Sequence, residues 1–298
     1  MLHAVLRRGS RPHARFALAP VLAGAAALFT AGPALAQDPS DAFFRLDRIN
    51  ILLILLVFGV LFVYCIRLAA RGRKFFVRKI AGLEAVEEAV GRSTEMGKAV
   101  LYVPGIDDVN NIQTIYSMII LSHVAKMVAQ YETPLIVPIC RPFVVPLAEE
   151  TVRQAYLDAG VPDAYNKNNI RYLSEEQFAY TAGVDGIMLR EKPAANLYLG
   201  SFFAESLILA ETGFQTGAIQ IAGTANVHQL PFFVVACDYT LMGEEFYAAT
   251  AYLSDEPRLI GTLKGTDYMK LVLFALMAAG ILLETFGYSG LSEWMRPH

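Results

Sequence analysis

The sequence predicts an α/β fold, a three-layer sandwich with a mostly parallel sheet, tethered by two transmembrane helices. Short apolar runs alternate with longer helical patterns through residues 71–266, and this alternation is typical of a parallel sheet covered by helices. Two further runs, within residues 49–70 and 267–290, are apolar over lengths that can cross a bilayer. We expect four to six strands in the sheet.

The composition points away from several classes of function. The chain has 298 residues, 55% of them hydrophobic, and a formal net charge of -3. No basic surplus indicates a nucleic-acid partner. The three cysteines are far apart and form no CxxC pair, which predicts neither a disulfide framework nor a metal site. No cofactor is predicted, because GxGxxG, HExxH, GxSxG and EF-hand spacings are missing from the sequence.

Residues 1–36 have the pattern of a secretory signal peptide. A basic start, MLHAVLRRGSRPHAR, precedes the apolar run FALAPVLAGAAALFTAG, and an A-x-A cleavage motif ends at Ala36. An uncleaved transmembrane anchor is the alternative. Residues 37–48 would then form a short extracytoplasmic segment.

The first predicted membrane helix, residues 49–70, is apolar and uncharged from Ile49 to Cys65. Basic residues crowd its far end: Arg67, Arg71, Arg73, Lys74, Arg78 and Lys79. Because basic flanks stay on the cytoplasmic side, we expect residues 71–266 to form a cytosolic domain at a bacterial inner membrane. The cluster is either such a flank or a dedicated site for anionic lipid.

The second predicted membrane helix, residues 267–290, would leave an extracytoplasmic tail at 291–298. It contains one acid, Glu284, about 22 Å along the helix from Met269 at 1.5 Å per residue. Two interpretations stay open: the carboxylate reaches the lipid headgroups, or it acts inside the membrane.

Within the cytosolic domain, short apolar runs are predicted as strands: AVLYVPG, PLIVPIC, NIRYL, GAIQIAGT and LPFFVVACD. Longer patterns are predicted as helices: LEAVEEAVGRS, NIQTIYSMIILSHVAKMVAQY, VPLAEETVRQAYLDAG and TLMGEEFYAATAYLS. Ser174 and Gln177 form a capping box that begins another helix, which extends toward Lys192. For residues 193–213, Pro193 at the start and Gly213 at the end favour one long helix over an early strand.

Three charged residues follow the first two predicted strands. Asp107 and Asp108 lie in the loop after the first strand, and Arg141 follows the second. Open α/β sheets bind ligands at such strand ends. The aspartates could hold a ligand or cap the next helix. Arg141 could bind a carboxylate or phosphate, or it could pair with an internal acid.

Polar residues near the end of the domain complete the candidate ligand site. Asn226 and His228 lie in the loop after GAIQI, where small polar residues are also ordinary turn chemistry. Cys237 and Asp238 end the last predicted strand. Nearby acids oppose a thiolate at Cys237, so we expect a protonated thiol there and a helix cap at Asp238. A nucleophilic pair of Cys237 and His228 is the alternative.

Several segments together resemble a family of bacterial membrane-anchored proteins known only as a domain of unknown function. The segments are VLYVPGIDD, PLIVPICRPFVVPLAEE, LSEEQFAYTAGV, FFAESLILAETG, GAIQIAGT and PFFVVACDYTLMGEE, and the similarity runs from about Leu83 to the second membrane helix. The resemblance implies a shared fold and membrane attachment, and it implies no activity and no site residues.

Three functional hypotheses follow from the sequence. The first is a noncatalytic scaffold in a membrane assembly, whose partners are the lipid bilayer and other copies of the chain or other membrane proteins. The second is a membrane-tethered sensor or enzyme with a ligand site at the strand ends, which requires the polar residues above to converge in one cleft. The third is a transport accessory that uses Glu284.

Overall fold

The computed structural model describes residues 49–72, 75, 81–254 and 256–287. Within them, nine α-helices are formed: α1 Ile49–Ala70, α2 Ala81–Glu95, α3 Ile112–Gln130, α4 Val144–Asp158, α5 Gln177–Glu191, α6 Glu205–Thr216, α7 Leu230–Ala236, α8 Glu244–Leu253 and α9 Pro257–Thr285. Six strands alternate with them: β1 Val100–Gly105, β2 Leu135–Ile139, β3 Ile170–Tyr172, β4 Ala195–Ser201, β5 Ile219–Thr224 and β6 Tyr239–Met242.

Some predictions fall on residues outside these ranges. They are the signal peptide at 1–36, the segment 37–48, the tail 291–298 and four of the six basic residues at and beyond the end of α1: Arg73, Lys74, Arg78 and Lys79. These predictions stay predictions.

The six strands form one parallel sheet in the order β3-β2-β1-β4-β5-β6. The predicted α/β fold and parallel sheet are therefore confirmed. Chain order reverses between β1 and β4 at the centre of the sheet, where Val100 lies opposite Ala195. Since every strand runs in the same direction, all six carboxyl ends lie along one edge. We call this the carboxyl edge and the opposite one the amino edge.

Successive side chains of β1 enter two separate buried clusters. Val100 and Tyr102 belong to a cluster that includes side chains of α2, α3, α4 and α8. Leu101 and Val103 belong to a second cluster, with side chains of α5, α6 and α7. Because successive side chains of a strand point to opposite faces, the two clusters lie on opposite faces of the sheet. This double burial explains the continuous apolar strand sequences.

The prediction of one long helix over residues 193–213 is wrong. Residues Ala195–Ser201 form β4, all seven of them buried, and only Glu205–Thr216 form the helix α6. A strand that is buried on both faces lacks the alternating pattern that separates strands from helices. Pro193 therefore misled the prediction.

The predicted strand LPFFVVACD is also wrong. Leu230–Ala236 form the short helix α7, with Pro231 in its first turn, and the strand β6 begins at Tyr239. The mistake has the same cause, because the periodicity of a short apolar run does not distinguish a buried strand from a helix. The next helix, α8, is correspondingly shorter than predicted and begins at Glu244.

The helix α5 begins two residues later than the predicted capping box places it. Glu176 is the N-cap residue, and its carboxylate accepts from the backbone N–H groups of Phe178 and Ala179. Ser174 instead accepts from the N–H of Glu176 through its hydroxyl. The helix then extends to Glu191, as predicted, because Gly183 and Gly186 do not interrupt it.

The helices α1 and α9 pack together as an antiparallel pair. Gly261 of α9 lies against Cys65, Ile66 and Ala69 of α1, and Gly265 lies against Phe62. The helix α9 begins at Pro257, ten residues before the predicted membrane segment. By length and composition, three helices of the described chain could cross a membrane: residues 51–70, 112–130 and 257–285.

Candidate functional site

The carboxyl edge is the place where the sequence predicts a ligand site, and the parallel sheet brings all six strand ends to it. In open parallel sheets, ligands bind outside the strand ends at the point where strand order reverses. Here that point lies between β1 and β4. The loops after β1, β2, β4 and β5 surround it and carry most of the predicted residues.

Glycines bring the ends of β1 and β4 into direct backbone contact. Gly105 has a φ of +91°, and a Cβ atom at this residue would lie 2.4 Å from the carbonyl oxygen of Ser201. A Cβ atom at Gly200 would lie 2.0 Å from the carbonyl oxygen of Pro104. The N–H of Ile106 also donates to Ser201 O at 3.0 Å. The central strand ends are therefore tied to each other where a ligand crevice would open.

Asn226 holds the loop after β5 against the rest of the edge. Its Nδ2 donates to Phe202 O at 2.7 Å and to Ser201 Oγ at 3.1 Å. Its Oδ1 accepts from Nε2 of Gln113 at 2.9 Å, and Gln113 Oε1 in turn accepts from the N–H of Ala225 at 2.8 Å. The two amide side chains thus connect α3, β4 and the loop after β5. Asn226 serves the fold here, since both ends of its amide already have protein partners.

Asp107 and Asp108 are satisfied within their own loop. Asp107 Oδ2 accepts from Nδ2 of Asn111 at 2.7 Å, and Asp108 Oδ1 accepts from the N–H of Val109 at 2.7 Å. The cap of α3 is Asn111, whose side chain accepts from the N–H of Gln113. The capping role foreseen for the aspartates therefore falls to Asn111, with Asp107 orienting its amide.

Arg141 is half-buried and contacts the backbone of the neighbouring loop. Its Nε donates to Ile106 O at 2.9 Å. This bond joins the loop after β2 to the loop after β1, so the guanidinium contributes to the shape of the edge. Arg141 was expected either to bind an anion or to pair with an internal acid, and the contact that the structure shows is with this backbone carbonyl.

Glu205 is a fully buried carboxylate at this edge that the sequence analysis missed. Its Oε1 accepts from the N–H of Phe203 at 2.8 Å, and its Oε2 accepts from Nε2 of Gln177. The mistaken long helix placed Glu205 in mid-helix. The correct boundary between β4 and α6 would have placed it in the first turn, where acids are favourable.

Cys140 lies beside this carboxylate and remains a thiol. Burial raises the pKa of Cys140 to about 11, and the negative charges of Glu205, Glu175 and Asp107 add to the rise against the opposing effect of Arg141. Nucleophilic cysteines instead have a lowered pKa. The geometry gives Cys140 a packing role.

Asp238 lies at the amino edge, apart from the other predicted residues. Its Oδ2 accepts from the N–H of Gln220 at 2.8 Å, and its own N–H donates to Gln220 O at 2.9 Å. It precedes β6 and caps no helix, which corrects the prediction. Burial, and then the charge of Asp238, raise the pKa of Cys237 to about 12. His228 is exposed in the loop after β5, so the hypothetical pair with Cys237 would join opposite edges.

A second polar cluster is buried between β4, β5 and α6. Tyr198 Oη donates to Gln220 Oε1 at 2.9 Å or to Leu209 O at 3.1 Å, and Gln220 Nε2 donates to the carbonyls of Ala210 and Ala236. Gly213 makes room for it, because a Cβ atom there would lie 2.1 Å from Gln220 Oε1. This cluster ties α6 and α7 to the sheet.

The five remaining candidates share the carboxyl edge: Asp107, Asp108, Arg141, Asn226 and His228. Except for the exposed His228, their side chains form hydrogen bonds within the loops of that edge. Within the described residues, no group of three or more His, Cys, Asp and Glu side chains is placed to hold a metal ion. The arrangement is chemically that of a cross-linked structural edge.

Removing the Asn226 amide tests this interpretation. Asn226→Ala leaves the amide of Gln113 and the carbonyl of Phe202 without their partner, which is expected to lower the free energy of unfolding by about 1–3 kcal/mol. Thermal unfolding of the full chain in mild detergent measures the effect. His228→Ala, in the same loop but exposed, is the control and should stay within about 0.5 kcal/mol. Equal losses for both variants would contradict the structural role of Asn226.

The fold and this edge define a class of protein in which a parallel α/β domain carries a pair of long apolar helices. Within that class, the chain belongs to the family described as a domain of unknown function (DUF6754), whose model matches residues 39–295. No curated protein and no solved structure matches the chain. The predicted membership in a family of unknown function is confirmed, and it transfers no activity.

Proposed function

We propose that the protein is a noncatalytic scaffold anchored in the bacterial inner membrane, whose cytosolic domain, a three-layer α/β sandwich, assembles with other copies of itself. The observation that carries the proposal is an apolar surface on α6 and α7, which we call the α6/α7 face. Its exposed side chains are Leu207, Ile208, Phe214, Phe232, Val234 and Val235.

The α6/α7 face has the character of an association surface. Of the seven residues of α7, only Phe233 is buried, and Val235 is 88% exposed. The two helices are neighbours in the fold, so their exposed apolar side chains lie on the same side of the sheet. Contiguous apolar patches on a protein surface mark sites of association. Self-association would bury this patch without another kind of chain.

The proposed anchor is the antiparallel pair α1 and α9. The third apolar helix, α3, supplies Ile120, Leu121 and Val124 to the core of the domain, so we assign it there. The spacing Gly261-x-x-x-Gly265 lets α9 approach α1 closely, as small residues do between membrane helices. The basic residues Arg67 and Arg71 at the end of α1 favour a cytosolic domain.

Self-association through the α6/α7 face has a direct test. Val235→Glu adds a charge at an exposed residue, so the fold should persist while the interface is lost through burial of an unpaired carboxylate. Native mass spectrometry of the full chain, extracted in mild detergent, should show the oligomer for the original chain and the monomer for the variant.

The matched control is Leu157→Glu, on α4 and on the other side of the sheet, where the side chain is also exposed. This variant should keep the oligomer. A monomer from the unaltered chain, or an oligomer that withstands Val235→Glu, would overturn the proposed interface.

A ligand-binding sensor or enzyme at the carboxyl edge is the second candidate. Its support is the position of the edge at the reversal of strand order. The hydrogen bonds within the edge weigh against it, since a ligand would have to displace them. A third hypothesis is that Glu284 serves transport. It predicts that Glu284→Gln reproduces the phenotype that deletion of the protein produces.

A further inference from the structure

The direction of α9 relative to the sheet indicates which part of the domain faces the membrane. The helix α8 begins directly after β6, at the carboxyl edge, and runs back toward the amino edge. After a short connection, α9 runs the other way, and Lys270 of α9 forms an ion pair with Glu244 at the start of α8. Lys270 is therefore level with the carboxyl edge. Beyond it, α9 continues to Thr285, about 22 Å farther at 1.5 Å per residue.

The helix α1 adds evidence about the height of the lipid. Phe62 packs against Gly265, and continuing this antiparallel register places Lys270 level with Val57. The exposed side chains Val60, Val63 and Tyr64 then lie on the domain side of that level. If the lipid ended beyond Lys270, these apolar side chains would face water. A headgroup region that overlaps the carboxyl edge would cover the nearest of them, Val60, which lies about 4.5 Å beyond that level at 1.5 Å per residue.

The carboxyl edge itself carries exposed apolar side chains. Each of the six strands is followed by at least one, in the loop or in the first turn of the next helix. They are Val109, Ile112, Phe143, Phe178, Phe203, Val227 and, at the end of β6, Met242. In the loops alone, the carboxyl edge has four large, exposed apolar side chains, Val109, Phe143, Phe203 and Val227. The described loops of the amino edge, at residues 96–99, 131–134, 159–169, 192–194, 217–218 and 237–238, have two, Met96 and Tyr131.

From these three observations we infer that the carboxyl edge rests on the surface of the bilayer, with its apolar loop side chains in the headgroup region. The inference rests on the proposed function, since it takes α1 and α9 as the anchor. Apolar side chains of this kind bind interfaces by burying area, whereas charged surfaces depend on lipid charge. Here Glu175, Glu176 and Glu245 are exposed near the same edge, so the contact is expected with zwitterionic lipid and owes nothing to anionic headgroups.

The occupant of this surface is thus a lipid bilayer, and the contact gives the polar edge a function other than ligand binding. Hydrogen bonds from Asn226 and Arg141 fix the shape of loops that carry Val227 and Phe143. A rigid edge holds its apolar side chains at one height. The hydrogen-bonded network and the apolar side chains would then both serve contact with the bilayer.

Tryptophan fluorescence tests the inference in the full chain, reconstituted in phosphatidylcholine vesicles with a share of acyl-brominated phosphatidylcholine as quencher. The one native tryptophan, Trp294, is replaced by phenylalanine. Single tryptophans are then introduced as Phe143→Trp and Val227→Trp at the carboxyl edge, where the native side chains are 73% and 70% exposed. Tyr131→Trp at the amino edge, where the tyrosine is 55% exposed, is the matched control.

Quenching by the brominated lipid should be several-fold greater for Phe143→Trp and Val227→Trp than for Tyr131→Trp. Phe274→Trp, on the exposed surface of α9 beyond Lys270, reports on the anchor itself. If Phe274→Trp is quenched and the two edge variants match the control, the inference is overturned while the anchor stands. If Phe274→Trp is not quenched either, the proposed anchor fails with it.

A second copy of the chain could cover the edge in place of lipid. In that case the emission of Phe143→Trp would shift to shorter wavelength as the protein density in the vesicles rises, with no quenching by the brominated lipid. This result would also overturn the inference. Quenching that is independent of protein density supports contact with lipid.

Discussion

Gly261→Leu is expected to separate α1 from α9 and expose Cys65. A Cβ atom at Gly261 would lie 2.8 Å from Cβ of Ala69, 2.9 Å from Cα of Ile66 and 3.2 Å from the carbonyl oxygen of Cys65. Two of these atoms belong to the backbone of α1, so a larger side chain cannot be accommodated by a rotamer change. The helices would have to move apart, and the close packing of α9 against the backbone of α1 would be lost.

The thiol of Cys65 reports this separation directly, because it is only 2% exposed in the packed pair. Labelling with the membrane-permeant reagent N-ethylmaleimide, assigned by peptide mass, should rise many-fold at Cys65 in Gly261→Leu. Gly59→Leu is the matched control, since nothing lies within 4 Å of a Cβ atom at Gly59, which is in α1 with Cys65. Protection of Cys65 in both variants would show that the close approach at Gly261 is dispensable.

The glycines at this contact illustrate what the sequence analysis could and could not reach. Apolar length alone predicted α1 and the apolar part of α9, because a helix that can cross a membrane needs about 20 apolar residues. The helix pairing depended on Gly261 and Gly265, which lie in a more polar stretch before the predicted segment. The Gly-x-x-x-Gly spacing was present in the sequence, but the predicted membrane helix began at residue 267 and so did not include these two glycines.

The carboxyl edge shows a similar division. Strand-then-helix order was enough to place Asp107, Arg141, Asn226 and His228 at one edge, since the end of a parallel strand decides the edge. Asp238 was wrongly placed at the carboxyl edge, because the segment predicted as the strand before it forms the helix α7. The partners of these residues could not be predicted, because they come from distant parts of the chain. Gln113 and Asn226 are 113 residues apart, with four strands between them along the chain.

Gly105→Ala is expected to have the largest effect on the α/β domain. The residue has a φ of +91°, which costs an L-amino acid roughly 1–3 kcal/mol. A Cβ atom would also lie 2.4 Å from Ser201 O and 2.7 Å from Ser201 N, where only backbone could move. Overpacking of this kind costs about 1–3 kcal/mol more. The free energy of unfolding should therefore fall by about 2–6 kcal/mol, a large share of the typical stability of a domain.

Thermal unfolding in mild detergent, followed by circular dichroism, measures this loss if the variant folds. If it does not, the yield of protease-resistant domain after extraction serves as the measure. Gly91→Ala provides the control, because Gly91 is within α2 and nothing lies within 4 Å of a Cβ atom there. That change should stabilise the chain slightly, by about 0.5–1 kcal/mol, as alanine does in helices.

A Gly105→Ala variant as stable as Gly91→Ala would mean that the ends of β1 and β4 have room to separate. That room is what a ligand crevice at the carboxyl edge would require, so the same measurement decides between a closed structural edge and an open site.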